Sequence, residues 1–305
     1  MPKKIWTLSV LSLALIVSVA AFGVRAQQTL SGVWTASLID EKSKVNLNLE
    51  LRAEKNGKHQ MGQTYEFSAF QGLTREQALA GGPVTFSIVR EAGTIECQGS
   101  FQDGKGSGTF RFTANQAFVS AMKSRGFDFE KESAWTDKNH FEDRLFTATA
   151  LNVTTGLADD LLSAGFGKLD VGDLFKAAIF KIDSTFMREM KASGFPNMGM
   201  EELVKARIFK IDAKFVSEAT QMGFDKEPFE SLVKMRIFKV TPAFIAEVRG
   251  EGLNALSIED IVKLRIFKID AEAIRKAKAE GVPLEVERLV QWRLGVDRPN
   301  RRVVI

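Results

Sequence analysis

Two serine–lysine pairs are the nearest approach to a catalytic signature in this chain. Ser120-Ala121-Met122-Lys123 and Ser231-Leu232-Val233-Lys234 both fit Ser-x-x-Lys, the spacing at which a lysine activates a serine nucleophile in penicillin-binding proteins. The pattern fixes only two positions, both copies fall in stretches of helical periodicity, and neither has the companion motifs that chemistry needs. His59 and His140 are the only histidines and have no companion at ligand spacing, so a zinc site is not expected. Asp103-Gly104-Lys105-Gly106-Ser107-Gly108 is glycine-rich but lacks the Gly-Lys-Ser/Thr ending ahead of a helix. It reads as a hairpin turn between strands, not as a phosphate loop. No Gly-x-Ser-x-Gly elbow and no dinucleotide fingerprint occurs. The expectation is a protein without enzymatic activity, cofactor or metal.

The charged residues that recur in register are cations. Lys205, Lys234 and Lys263, preceded by Lys176, hold one position of a phrase repeated every 29 residues; Arg207, Arg236 and Arg265 hold a second. Lys181, Lys210, Lys239 and Lys268 hold a third. Equal positions in a stacked array form ridges. A ridge of Lys205, Arg207, Lys234, Arg236, Lys263 and Arg265 is therefore the candidate surface for an anionic polymer, a membrane surface or an acidic partner. The same residues also lie late in a helix, where positive charge complements the dipole, while Glu201, Glu202, Glu230, Glu259 and Asp260 lie early.

The elements that carry these cations are units of two short helices. The phrase reads Ala178-Ile179-Phe180-Lys181-Ile182-Asp183, Arg207-Ile208-Phe209-Lys210-Ile211-Asp212, Arg236-Ile237-Phe238-Lys239-Val240-Thr241 and Arg265-Ile266-Phe267-Lys268-Ile269-Asp270. In one unit, Glu201 to Phe209 forms the first helix, with Leu203, Val204 and Ile208 expected on its apolar face. Asp212 caps the second helix through its carboxylate, and Ile211 with Val216 is spaced as a hydrophobic staple. Ile182 with Met187, Val240 with Ile245 and Ile269 with Ile274 repeat that pairing. A glycine follows each cap by eleven residues: Asn115 leads to Gly126, Thr154 to Gly165, Asp183 to Gly194, Asp212 to Gly223, Thr241 to Gly252 and Asp270 to Gly281. Phe127, Phe166, Phe195, Phe224, Leu253 and Val282 come next, as a Schellman ending requires. The array so begins at Asn115, carries one insertion near Phe129 to Asn139 with Trp135 and His140 beside it, and ends in a shortened echo at Trp292-Arg293-Leu294-Gly295-Val296. The phenylalanines of the phrase are expected in the core between units.

The stretch Val233-Lys234-Met235-Arg236-Ile237-Phe238-Lys239-Val240-Thr241-Pro242-Ala243-Phe244-Ile245-Ala246-Glu247 resembles units found in tandem in exported bacterial proteins. Similar units are also appended to membrane zinc peptidases of the β-lactam-sensor type. The resemblance covers about residues 110–297 and extends to the front half. It implies an exported protein with no established activity. The zinc motif His-Glu-x-x-His is missing, so the peptidase role does not carry over.

Before the array the hydrophobic period is two. Val45, Leu47, Leu49 and Leu51 alternate with polar residues, as do Val84, Phe86 and Ile88, while Phe110 and Phe112 flank Arg111. Asn56-Gly57, Gly81-Gly82-Pro83, Ala92-Gly93 and Asp103-Gly104 are turn signals, and Thr74 with Gln77 is spaced as a capping box. Six or seven antiparallel strands in a compact barrel or sandwich are expected. Gly32-Val33-Trp34 resembles the opening of lipocalin-like barrels; Trp34 reads as a plug at the end of a small core or, with Tyr65, as the candidate lining of a small-ligand pocket. The sole cysteine, Cys97, falls on the apolar side of a strand, so no internal disulfide forms and a buried thiol is expected.

Residues 1–26 have the layout of a secretory leader: Lys3 and Lys4, an apolar run from Ile5 to Phe22, then Val24-Arg25-Ala26. An uncleaved anchor is the other reading of that run. The chain as a whole carries +4, of which Lys3, Lys4 and Arg25 supply three charges, so the remainder is near neutral and has no electrostatic footprint for nucleic acid. The fold class expected is α+β with several domains: leader 1–26, antiparallel β domain 27–113, an α-solenoid of five to six helix pairs at 114–297, and a basic tail at 298–305. The function expected is that of a secreted or periplasmic scaffold or accessory of an envelope sensing system, with another envelope protein as partner. A small-ligand carrier is the alternative.

Overall fold

The computed structural model describes residues 29–51, 59–131, 141–165 and 167–296. The expected leader, the Asn56-Gly57 turn, Trp135, His140, Phe166 and the basic tail lie outside the described residues. The fold is α+β, a six-stranded antiparallel sheet followed by a run of short helices. No helix among the described residues is long and apolar enough to cross a membrane.

The strands are β1 (Leu30–Ile39), β2 (Lys44–Leu51), β3 (His59–Glu66), β4 (Gly82–Arg90), β5 (Gly93–Gln102) and β6 (Lys105–Ala114). Their order is β3-β2-β1-β6-β5-β4, so two meanders join where β6 returns beside β1. Alternation sets the faces: Val45, Leu47, Leu49, Leu51, Val84, Phe86, Ile88, Phe110 and Phe112 are all buried on one side. Cys97 is buried in the same layer. Asp103 and Gly104, at φ 51° and 75°, make the two-residue turn between β5 and β6. Gly99 faces Gly108 across that hairpin. A Cβ on Gly99 would meet the Ser107 carbonyl oxygen at 2.1 Å, and one on Gly108 the Gln98 oxygen at 2.0 Å, so only glycine admits this approach.

The sheet is open, with β3 and β4 as edges, and the expected closed barrel does not form. Helices cover its apolar face instead. The capping box at Thr74 and Gln77 starts α1 (Arg75–Ala80), which packs on β4 and β5. Gln71 exchanges backbone hydrogen bonds with Ser87 at 2.8 Å and extends the β4 edge. The main cover is α3 (Phe141–Ala150), which crosses β3, β5 and β6. Phe146 of α3 stacks on Phe110 at 5.5 Å and meets Phe112 edge-on at 5.6 Å. One hydrophobic core thus runs through the 113/114 boundary.

The other helices are α2 (Gln116–Ser124), before α3 in the chain, and α4 (Thr155–Ser163), α5 (Val171–Phe180), α6 (Ser184–Ala192), α7 (Met200–Phe209) and α8 (Ala213–Gln221) after it. The run continues with α9 (Phe229–Ile237), α10 (Pro242–Gly250), α11 (Ile258–Ile266), α12 (Ala271–Ala279) and α13 (Val286–Leu294). Alternate helices pack together: α5 on α7, α7 on α9, α9 on α11 and α11 on α13 in one row, with α2 on α4, α4 on α6 and α10 on α12 in the other. Asn115, Thr154, Asp183, Asp212, Thr241 and Asp270 each accept a backbone N–H of the helix that follows. Gly126, Gly165, Gly194, Gly223, Gly252 and Gly281 all have positive φ. The next residue donates its N–H back to the helix at 2.9–3.2 Å in Phe127, Phe195, Phe224, Leu253 and Val282.

Candidate functional site

The ridge cations are held between units. Lys205 pairs with Glu230 at 2.6 Å, Lys234 with Glu259 and Lys263 with Glu287, each lysine reaching a carboxylate of the next unit. Lys176 does the same to Glu201 at 2.6 Å. Glu287 raises the Lys263 ammonium above the ordinary lysine value by accepting its hydrogen bond.

The arginines reach the other way. Arg207 donates to the Lys181 carbonyl at 2.7 Å, Arg236 to the Lys210 carbonyl at 2.8 Å, and Arg265 to the Phe238 carbonyl at 2.9 Å. Arg293 repeats the contact on the Phe267 carbonyl at 3.2 Å. These carbonyls end helices, where acceptors are left over and the dipole is negative. The guanidiniums also lie over rings of the preceding unit, Arg207 on Phe186 and Arg236 on Phe215 at 3.7 Å, Arg265 on Phe244 at 4.7 Å. All six proposed ridge residues therefore act as staples between neighbours in the row.

The two proposed pocket residues are core. Trp34 is 1 % exposed, packed against Phe86 and Phe101, and its indole N–H donates to the Gln98 carbonyl at 3.2 Å. Tyr65 is buried and donates to the Ala150 carbonyl at 3.0 Å, tying β3 to the end of α3. Burial pushes its phenol up to about 12. Neither lines the trough of about 490 Å³ on the opposite, polar face of the sheet among Ser31, Thr85, Ser87, Glu96, Gln98, Thr109 and Arg111.

The serine–lysine pairs do not form dyads. Ser120 donates to the Gln116 carbonyl and Lys123 pairs with Glu130 at 2.8 Å, while Lys234 is taken by Glu259. Among the described residues no three His, Cys, Asp or Glu side chains gather as metal ligands. Comparison with protein-family models, curated proteins and solved structures gives no match for this chain. The resemblance to exported repeat proteins rests on the quoted residues alone.

A row that the ridge reading passed over lies at the same turns. Ile208, expected inside, is 54 % exposed, because Arg207 takes the inward position of that last helical turn over Phe186. Ile237 and Ile266 are exposed in the same way, and Ile179, which follows Ala178, is exposed as well. Two residues further on, Lys181, Lys210, Lys239 and Lys268 sit at φ 52–54°. An L residue in this left-handed region costs about 1–2 kcal/mol. The turn works as a second Schellman ending, with Ile182, Ile211, Val240 and Ile269 donating to Ala177, Ala206, Met235 and Leu264 at 2.8–3.0 Å. In sequence, the only trace was an apolar residue followed at once by a cap, because lysine carries no left-handed preference.

Proposed function

We propose that this protein is a non-enzymatic interaction scaffold of the bacterial envelope, exported by its leader. The helical rows form an α-solenoid that presents equal positions of successive units as continuous edges. The observation that carries this reading is the recurrence of one set of joints: an arginine to the preceding helix end and a lysine to the following carboxylate, unit after unit. Joints of this kind make each unit depend on its neighbours and spread binding surface over a length no single unit has. The resemblance to repeats appended to envelope peptidases supports another envelope protein as partner.

The test is affinity capture from envelope extract on the immobilised chain starting at Gln27. Because α3 shares its core with the sheet, sheet and helices are kept together in it. The scaffold reading expects a defined protein that excess free chain displaces. It fails if nothing displaceable is retained. N-terminal sequencing of the exported chain tests the leader: Gln27 at the start supports cleavage, and Met1 refutes it.

The carrier reading keeps one supporting observation, the polar trough at Glu96 and Arg111. These two residues face each other across β5 and β6. Native mass spectrometry of freshly purified protein would then find a small polar molecule that Arg111→Ala releases.

A further inference from the structure

Four consecutive units leave the same pair of side chains without a role among the described residues. Ile179, Ile208, Ile237 and Ile266 are 41 %, 54 %, 50 % and 48 % exposed, and Leu294 ends their row at 60 %. Lys181, Lys210, Lys239 and Lys268 are exposed beside them, with no carboxylate in ion-pair range among the described residues. The backbone under these lysines adds an independent observation. At the opposite turns the left-handed position is given to Gly194, Gly223, Gly252 and Gly281; here it is given four times to a side chain that strains it. A strained lysine whose ammonium has no side-chain partner among the described residues points to a use outside the fold.

We infer that this turn edge docks on an anionic lipid bilayer, with the isoleucines in the interfacial layer and the ammonium groups on headgroup oxygens. The sign of charge excludes a second copy of the same edge, since two rows of lysines repel. The residue types argue against a protein partner. Protein interfaces favour arginine and aromatic rings and disfavour lysine, whereas this array turns Arg207, Arg236 and Arg265 inward and lysine outward. Each unit also presents the same pair, a pattern with no sequence for a partner to read but matched to a laterally uniform surface. Exposed apolar residues with flanking lysines are the combination by which peripheral proteins hold acidic membranes. This goes beyond the scaffold reading and does not depend on it.

The experiment is sedimentation of the chain from Gln27, which holds every described element and lacks the apolar leader, with extruded vesicles. Phosphatidylglycerol–phosphatidylethanolamine vesicles are compared with phosphatidylcholine vesicles. The expected result is binding to the anionic vesicles alone, weakening at least tenfold between 50 and 300 mM salt. Each lysine near a charged surface contributes about fivefold, so Lys181→Gln, Lys210→Gln, Lys239→Gln and Lys268→Gln together should lower partitioning by about a hundredfold or more. Ile208→Ser with Ile237→Ser should lower it about tenfold, and circular dichroism melting checks that both variants are folded. The control removes equal charge elsewhere, at Lys131, Lys168, Lys191 and Lys214, and should change partitioning less than threefold beyond its effect on net charge. Should the edge variant misfold, the single variants Lys210→Gln and Lys239→Gln carry the test at about fivefold each. Equal binding to neutral vesicles, no binding to anionic ones, or an equal loss in the control overturns the inference. Loss of a captured acidic protein in the edge variant, with vesicles never bound, overturns it in favour of a protein partner.

Discussion

The staple between Arg207 and Phe186 makes the most demanding prediction about the array. The guanidinium lies 3.7 Å from the ring centroid and donates to the Lys181 carbonyl at 2.7 Å. A partly exposed cation–π contact contributes about 1 kcal/mol, and a hydrogen bond from a charged donor at a solvated carbonyl about 1 kcal/mol after screening. Arg207→Ala should therefore weaken the joint between α6 and α7 by about 2 kcal/mol, and Phe186→Leu, at a buried ring, by about 1.5 kcal/mol. The two share the ring contact, so the double variant should lose about 2.5 kcal/mol, leaving a coupling near 1 kcal/mol. Arg207→Lys keeps the charge but not the planar stack and should lose about half of what alanine does. Native-state hydrogen exchange of α6 and α7 amides is the appropriate assay, since openings in an array are local. Additive losses, or Arg207→Lys as stable as the parent, would refute the stacking account.

Three further outcomes follow from geometry already described. Lys210→Gly should raise the exchange protection of α7 by about 0.5–1 kcal/mol, relief of left-handed strain outweighing the lost helix-end charge; lower protection would mean that the lysine serves the local fold, and would weaken the case for the docking edge. Gly108→Ala should destabilise the sheet by at least about 3 kcal/mol, because its Cβ has no room beside the Gln98 oxygen; unchanged urea unfolding would contradict the close approach. The third concerns alkaline pH. Tyr65, the only tyrosine, and Cys97 both titrate near 12 in the folded chain, raised by burial from 10.0 and 9.0. Their neutral forms favour the folded state, so their contribution to stability is complete below about pH 9 and is lost as pH rises towards 12. Tyrosinate absorbance should appear only together with unfolding, and ionisation near pH 10 in a folded chain would show Tyr65 to be exposed.

What the chain disclosed in advance depended on how many residue types a position tolerates. Caps at Asp183 or Thr241 and glycines at 194 or 252 admit few alternatives, so their offsets placed the helix ends directly. The period-two pattern at Val45 to Leu51 told which face is buried, but not that a helix covers it, and so a single open sheet read as a barrel or sandwich. Phe141–Ala150 hid its role because the polar residues Arg144, Thr147 and Thr149 are buried with the apolar ones, so no apolar stripe marks its core face. The cation rows were visible as rows. Their direction was not, since Arg207 and Lys210 differ in reach and in which neighbour lies within it, and neither property has a period.

The joint between units has one more consequence. The Arg207 and Arg236 joints use the same acceptor position and the same ring position of the preceding unit, so the two ends of the unit between them are complementary to each other. Unequal recombination that adds or drops one 29-residue module between the Arg207 and Arg236 seams would restore the same kind of joint there. Length in such a chain is a heritable variable that natural selection can adjust at little thermodynamic cost.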